Sequence, residues 1–316
     1  MKHISKYSER HLDRGSPELE EGITSQIKGL IETPKGRDRL ARMKELQLEF
    51  FINAAERVFG GTNRDNTYLD YIELMDNLMS ETHFTCNTSE FQANSNQEFV
   101  VITGHFGIAK ATKISLGEFK ENLTHKIRDN FWINLVGIPP NDEPFPLRKA
   151  AIFKVLYSIF GKKNISPHEV HMCYPYPFDE IQKDCGVVTL KLDENNQYTQ
   201  LEQKMDDLFS TASKHRKIPI AIISPEKGTS GKRNPSQNPY VLGEFRTGFV
   251  AYAVHRNALI LPIIQAVNGK AEFSTHVLKP IEPPNLTTQE SLKEFAQEIR
   301  ISMQNKINFL LNNLQV

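Results

Sequence analysis

The chain has 316 residues, of which 39% are hydrophobic and 24% are charged, a composition typical of a globular protein with a full-sized core. Its 38 basic and 38 acidic side chains cancel, so the overall charge gives no indication of nucleic-acid binding or of attraction to an anionic membrane. The three cysteines have no metal-binding spacing, which argues against a disulfide framework or a zinc site and favours a reducing compartment.

Targeting and membrane-spanning segments are not predicted. Residues 1–22 are polar and charged, without the apolar stretch of a signal peptide. No run of about 18 apolar residues occurs, so we expect no transmembrane helix. The sequence therefore predicts a cytoplasmic protein whose contact with a membrane, if any, is peripheral.

The first third of the chain has a helical pattern. Apolar residues at helical spacing predict helices over 19–32, 37–59 and 68–79, the second of them stopped by Gly60-Gly61. Residues 82–96 are rich in Asn, Thr and Ser and are interpreted as a linker or long loop. The sequence thus predicts a helical N-terminal extension over residues 1–96.

Strands and helices alternate from residue 97 onward. Apolar, β-branched runs predict strands over 98–103, 132–138, 187–192, 218–223, 259–267 and 272–278. Helical patterns fall over 108–125, 146–160, 199–214, 249–256 and 288–314, the last with a Thr-x-x-Glu style start. This alternation predicts an α/β domain over 97–316, with a mixed, mainly parallel sheet flanked by helices. His168, His171 and Cys173 show no complete metal-ligand spacing and are interpreted as loop residues.

The segment after strand 218–223 has the residue types of an anion-binding site. Residues 224–233 have the sequence SPEKGTSGKR. Glycines let a backbone approach an anion closely, and Lys232 and Arg233 match the charge of a phosphate. Ligands bind at the carboxyl edge of open α/β sheets, where this segment is predicted to lie. On composition alone, a positively charged surface turn explains the same residues.

Three blocks in this half of the chain resemble the glycerolipid acyltransferase family, whose members acylate lysophosphatidic acid or glycerol 3-phosphate. Residues 225–229 (PEKGT) resemble the family's F-P-E-G-T-R-S block, with Lys227 inserted. Residues 245–248 (FRTG) resemble the F-x-x-G opening of the following helix. Residues 261–263 (LPI) resemble the V-P-V/I block at the end of a strand. Together with the blocks that precede them, they extend the resemblance over about residues 98–314.

The family's first block, H-x-x-x-x-D, resembles residues 105–110 (HFGIAK), and the H-F-G-x-x-E version of the bacterial lipid A acyltransferases is closer still. The resemblance implies that His105 is the general base that removes the proton of the acceptor hydroxyl. Lys110 stands where these families have an acidic residue. A cation there lowers the pKa of His105 and cannot accept its ring N–H.

Three accounts of this difference stay open. A carboxylate from elsewhere, Glu118 or Glu226, orients His105. Alternatively, His105 acts alone and slowly, or the site binds its ligand without catalysing a reaction.

The resemblance also implies roles for other residues. Lys191 takes the place of the family's phosphate-binding Arg, Glu226 assists at the catalytic centre, and Pro262 belongs to the acyl pocket. The remaining phosphate-binding residues are Gly228, Thr229, Lys232 and Arg233. The residues alone also allow a second interpretation without function. In it, Lys191 is a solvent-facing residue at the end of a core strand, and Glu226 is a surface carboxylate beside Lys227.

The implied activity is the transfer of an acyl group from acyl-CoA or acyl carrier protein to a hydroxyl of a phosphorylated glycerol or lysophospholipid. It needs no metal, no cofactor beyond the acyl donor, and no nucleic acid. Lys110 favours a second hypothesis, a protein of the same fold that binds lipid or acyl thioester without catalysis. A third is an α/β scaffold without a small-molecule site.

Overall fold

The computed structural model describes residues 34–103 with gaps at 62, 65, 82–83 and 93–96, then 147–172, 178–190, 214–225, 242–267, 273–286 and 288–314, and single residues between 203 and 212. The helices are α1 Pro34–Gly60, α2 Asn66–Glu81, α3 Leu147–Phe160, α4 Phe178–Asp184, α5 Gly248–Arg256 and α6 Gln289–Leu314. The strands are β1 Phe84–Asn87, β2 Phe99–Thr103, β3 Ile165–Met172, β4 Val188–Leu190, β5 Ile218–Ile223, β6 Leu259–Val267 and β7 Phe273–Val277.

The seven described strands form one sheet in the order β1-β7-β6-β2-β5-β3-β4. Every neighbouring pair is parallel except β6 and β7, which are antiparallel. This architecture confirms the predicted α/β fold with a mixed, mainly parallel sheet flanked by helices.

Strand β2 is the centre of the core, and all five of its side chains are completely buried. Val100 and Ile102 belong to a hydrophobic cluster that includes side chains of α1, α2, α5 and α6. Phe99 and Val101 belong to a second cluster, to which α3 contributes Ile152. A continuous apolar strand is what a parallel strand covered on both faces requires, which is why this strand was evident in the sequence.

The helices predicted over 37–59 and 68–79 are confirmed as α1 and α2, but the interpretation of residues 82–96 as a linker or loop was wrong in part. Residues 84–87 form β1, which pairs in parallel with β7, with Phe84 opposite Phe273. A strand of four residues containing Cys, Thr and Asn carries too little apolar pattern to be recognised. The division of the chain at residue 97 stays a prediction.

The loop interpretation of His168 and His171 was also wrong, because both lie on β3, between β5 and β4 in the sheet. Pro167, opposite Ile220, concealed this strand, since proline in a sequence normally argues against an interior strand. Cys173 lies outside the described residues.

Helix α6 begins with a reciprocal cap, but it joins Thr288 and Ser291, one residue later than the Thr-x-x-Glu sequence that suggested it. The Ser291 N–H donates to Thr288 Oγ1 at 3.1 Å, and the Thr288 N–H donates to Ser291 Oγ at 3.3 Å. Serine therefore takes the place that the expected Thr-x-x-Glu pattern gives to glutamate. The described residues between 203 and 214 are helical, as predicted. The predictions for 19–32, 108–125 and 132–138 lie outside the described residues.

Arg216 has an unfavourable backbone conformation. Among the described residues with positive φ, all are Gly or Asn except Arg216, whose φ is 56°. It follows a helix end, where the N–H groups of His215 and Lys217 both donate to the Ala212 carbonyl at 3.1 and 3.0 Å. Helices usually place Gly at such a position, because the left-handed conformation costs a residue with a Cβ about 1–2 kcal/mol.

We expect Arg216→Gly to raise the free energy of unfolding by about 0.5–1 kcal/mol, because the relieved strain exceeds the entropy that glycine adds to the unfolded chain. Urea denaturation measures this change. Asn257→Gly is the matched control: Asn257 has a φ of 51°, but Asn tolerates this conformation better, so its gain should be smaller. A less stable Arg216→Gly protein would contradict the strain argument.

Candidate functional site

The sheet brings the starting points of the predicted site segments to one edge. Strands β2 and β5 are parallel neighbours, with Ile102 opposite Ile223, so they end side by side. Strands β3 and β4 run in the same direction and end at the same edge, with Met172 opposite Leu190. This is the carboxyl edge, where open α/β sheets bind their ligands.

The predicted site residues follow these strand ends in the sequence. His105 comes two residues after the end of β2, Glu226 three residues after the end of β5, and Lys191 directly after β4. These three lie outside the described residues, as do Lys110, Glu118, Gly228, Thr229, Lys232 and Arg233. Their mutual contacts therefore stay predictions. Of the predicted site residues, the structure describes Pro262.

The strand order determines how far β5 and β4, the strands that precede the other predicted site residues, lie from β2, the strand that precedes His105. Strand β5 lies directly beside β2, a spacing of about 4.8 Å between neighbouring strands. Strand β4 is the third strand from β2, which corresponds to about 14 Å. The end of β5 therefore lies nearer to the end of β2 than the end of β4 does.

The exit of β5 is tied to the start of α5. The Arg246 N–H donates to the carbonyl of the buried Pro225 at 2.7 Å. Phe245, also buried, packs edge-on against Phe249 with the ring centres 6.0 Å apart. These contacts place the first turn of α5 beside the chain that leaves β5, so Pro225 and residues 245–248 lie next to each other.

Gly248, the first residue of α5, has open space around it. Among the described residues, nothing beyond its chain neighbours and its own helix lies within 4 Å of a Cβ added there, and its φ is not in the left-handed region. Neither packing against the described residues nor backbone strain therefore requires glycine. The Thr247 side chain makes no capping bond to α5 and instead accepts a hydrogen bond from Gln289 Nε2 at 3.1 Å. The backbone at the start of α5 is therefore open on the Gly248 side.

The other end of α5 is fixed by an ionic network. Arg256 donates two hydrogen bonds to Glu98, at 2.7 and 3.0 Å, and one to Asp206 at 3.0 Å. Hydrogen bonding to Glu98 raises the pKa of Arg256, so the guanidinium stays charged at any physiological pH. Because Glu98 immediately precedes β2, the network locks α5 to the central strand and so sets the position of Gly248.

Pro262 is buried in β6, opposite Ile102 of β2. Its carbonyl accepts a hydrogen bond from the Leu278 N–H at 3.0 Å. Proline has no N–H to donate in return. Strand β7 ends at this level, and the segment that follows it next pairs with β6 at the bridge between Ile260 and Ile281. Proline is thus accommodated in an interior strand at the point where the neighbouring strand departs.

A groove of about 890 Å³ lies between α6 and the chain after β7, and Pro262 is part of its wall. The volume is within the range of about 300–1,000 Å³ that small-molecule sites occupy. Its apolar wall consists of Leu278, Ile281, Ile299, Met303 and Phe309. The groove also has one ion pair, in which Lys306 Nζ lies 2.6 Å from a Glu90 carboxylate oxygen and 5.6 Å from the centre of the Phe309 ring.

A Ser–His pair on β3 was not predicted from the sequence. His168 Nε2 lies 2.7 Å from Ser166 Oγ, and its Nδ1 lies 3.1 Å from the Gly186 carbonyl oxygen, which Nδ1–H can reach as a donor. Burial lowers the pKa of His168, so the ring is neutral at neutral pH. Ser274 and His276 of β7 repeat the Ser–Nε2 contact at 2.8 Å. Because residues two apart share one face of a strand, this recurring contact follows from strand geometry and does not mark a catalytic centre.

No protein-family model and no curated protein sequence matches the chain. Among solved structures, the chain is similar to the crystal structure of the 1-acyl-sn-glycerophosphate (LPA) acyltransferase PlsC from Thermotoga maritima. The identity is 12% and the TM-score 0.41, over 86% of this chain and 97% of that chain. No described helix is both long enough and apolar enough to cross a membrane.

Proposed function

We propose that the protein is an acyltransferase that moves an acyl group from a thioester, acyl-CoA or acyl carrier protein, to a hydroxyl of a phosphorylated glycerol or lysophospholipid. The proposal combines the resemblance of residues 105–110, 225–229, 245–248 and 261–263 to the glycerolipid acyltransferase blocks with the arrangement of the strands that carry them.

One observation carries the proposal. Strands β2 and β5 are parallel neighbours in register, and the chain leaving β5 is hydrogen-bonded to the segment that opens α5. In the sequence, the first block follows β2, the second follows β5 and the third opens α5, while the last lies on β6, the other neighbour of β2. Four blocks that are distant in sequence are therefore connected to three adjacent strands and one helix.

In the proposed reaction, His105 accepts the proton of the acceptor hydroxyl as its oxygen attacks the thioester carbonyl. The C–S bond breaks, and the departing thiolate takes the proton from His105. Gly228, Thr229, Lys232 and Arg233 hold the acceptor phosphate, Lys191 adds a cation from the far side, and Glu226 orients the base or the acceptor. The open backbone at Gly248 leaves space for the acceptor to approach α5.

The acyl chain is proposed to lie against Pro262. This residue is opposite Ile102, three residues before His105, and it also lines the apolar groove under α6. The groove offers Met303, Leu278 and Phe309 as apolar partners for a hydrocarbon chain, and its volume fits a ligand of that size.

Lys110 favours one alternative function, the binding of an acyl thioester or lipid without turnover. An ammonium group five residues after His105 cannot accept the ring N–H of the histidine, so the usual orientation of the base by a carboxylate is missing from this position.

An assay with the purified full chain distinguishes the two functions. Acyl-CoA or acyl carrier protein thioester is supplied with glycerol 3-phosphate or lysophosphatidic acid, and release of the free thiol is measured. We expect thiol release that depends on the acceptor. Binding of the thioester without release under any donor and acceptor combination would favour the binding protein.

A further inference from the structure

Exposed cations gather at the amino ends of β3 and β5, the edge of the sheet opposite the candidate site. The chains entering these two strands are joined where the Ile218 N–H donates to the Asn164 carbonyl at 2.8 Å. Five cations lie on them, which we call the basic edge: Lys162, Lys163, Lys214, Arg216 and Lys217.

The basic edge is poorly neutralised. In the described part of the chain, the one carboxylate that pairs with any of its members is Asp76 of α2, which binds Lys162. The other four cations are exposed. The charges of the full sequence cancel, yet the described part of the chain has four positive charges without a carboxylate partner on two adjacent turns. Such a concentration of charge attracts anionic surfaces.

The backbone of Arg216 indicates that the stability of the fold does not explain the positive charge at this position. Its left-handed backbone would be less strained with glycine, so the fold itself does not favour arginine at this place. Strained residues that packing does not explain are concentrated at functional surfaces.

Exposed apolar side chains adjoin the basic edge. Leu69 and Tyr68 of α2 are 64% and 37% exposed. Leu69 is two helical turns from Asp76, the partner of Lys162, and so lies on the same side of α2. The Tyr68 ring lies against Gly186, whose carbonyl binds the His168 ring, and the nearby charge of Lys217 contributes to the lowered pKa of His168. The exposed apolar residues therefore lie on α2, the helix that also carries Asp76, the partner of Lys162.

We propose that the basic edge, together with Tyr68 and Leu69, docks the protein on an anionic membrane surface. Lysine and arginine attract anionic lipid headgroups, while an aromatic and an aliphatic side chain enter the interface between headgroups and acyl chains. A nucleic acid would bind the same cations, but its binding would not explain why Leu69 is exposed beside them. The inference is independent of the proposed acyl transfer, since it uses neither His105 nor the carboxyl edge.

Sedimentation with lipid vesicles tests this surface. The full chain should sediment with vesicles of phosphatidylcholine and phosphatidylserine, not with phosphatidylcholine alone, and less at high salt. The double variant Lys163→Gln/Lys217→Gln should lower the vesicle partition coefficient by about 25-fold, about fivefold for each cation. Lys279→Gln/Lys293→Gln removes two exposed cations outside the basic edge and should leave partitioning unchanged.

Two single variants separate charge and apolar contact from unfolding. Arg216→Gly should lose about fivefold in partitioning while its fold is at least as stable as that of the parent protein. Leu69→Ser should weaken vesicle binding without changing its dependence on salt. Equal losses in the two double variants, no sedimentation of the full chain, or salt-sensitive binding of a DNA duplex in place of vesicles would each overturn the proposal.

Discussion

Replacing His105 by Ala should lower acceptor-dependent thiol release by about 10²–10⁴-fold, the usual contribution of a positioned general base. Acceptor binding should stay nearly intact, because the proposed phosphate contacts come from residues 228–233 and Lys191. Steady-state kinetics with the acceptor varied, and a direct binding measurement, separate the two effects.

His255→Ala is the matched control, since His255 is an exposed histidine on α5. It should retain full activity. Equal turnover of the parent protein and His105→Ala would reject His105 as the base.

Lys110→Asp then distinguishes the accounts of how His105 is oriented. If Lys110 occupies the orienting position, the new carboxylate accepts the ring N–H and raises the rate. If Glu118, Glu226 or another carboxylate already orients the ring, the rate changes little. The outcome decides which group orients His105, and it does not change the assignment of His105 as the general base.

Replacing Arg233 by Ala should weaken binding of the phosphorylated acceptor by about 1.5–3 kcal/mol, the range for a hydrogen bond to a charged group. This corresponds to about 10–150-fold in the dissociation constant. The rate of the bound complex should change much less, because the guanidinium is proposed to hold phosphate and not to meet the reacting atoms.

Lys293→Ala controls for the loss of one positive charge from the whole protein, since Lys293 is exposed on α6. It should bind the acceptor as the parent protein does. An Arg233→Ala protein with unchanged acceptor affinity and a lower rate at saturation would contradict the phosphate-binding role.

The sequence predicted the strands and helices whose residues are determined by burial alone. Strand β6 matches its prediction from Leu259 to Val267, because β-branched and aliphatic residues there are buried on both faces of the sheet. Helix α1 ends at Gly60, followed by Gly61 with a φ of 65°, as the paired glycines predicted.

The missed strands are those whose backbone pairing depends on distant partners. Pro167 tolerates its place in β3 because β5 and β4 supply the neighbouring backbone, and no local signal contains that information. The four-residue strand β1 forms because the backbone groups on one side of β7 are available to pair with it. The candidate site was predicted from residue types and from family blocks. The structure adds the adjacency of β2, β5 and α5, which no periodicity in the sequence contains.

Strand β1 has a consequence for any attempt to work with the α/β part alone. It is the outermost strand and covers the free side of β7, although it precedes the predicted boundary at residue 97. A shortened chain that begins at Glu98 would leave the N–H and C=O groups on that side of β7 unpaired. Such open strands recruit other chains into intermolecular β-pairing. The shortened protein would then self-associate and precipitate for a reason unrelated to its core, whereas one that begins before Phe84 keeps the protective strand.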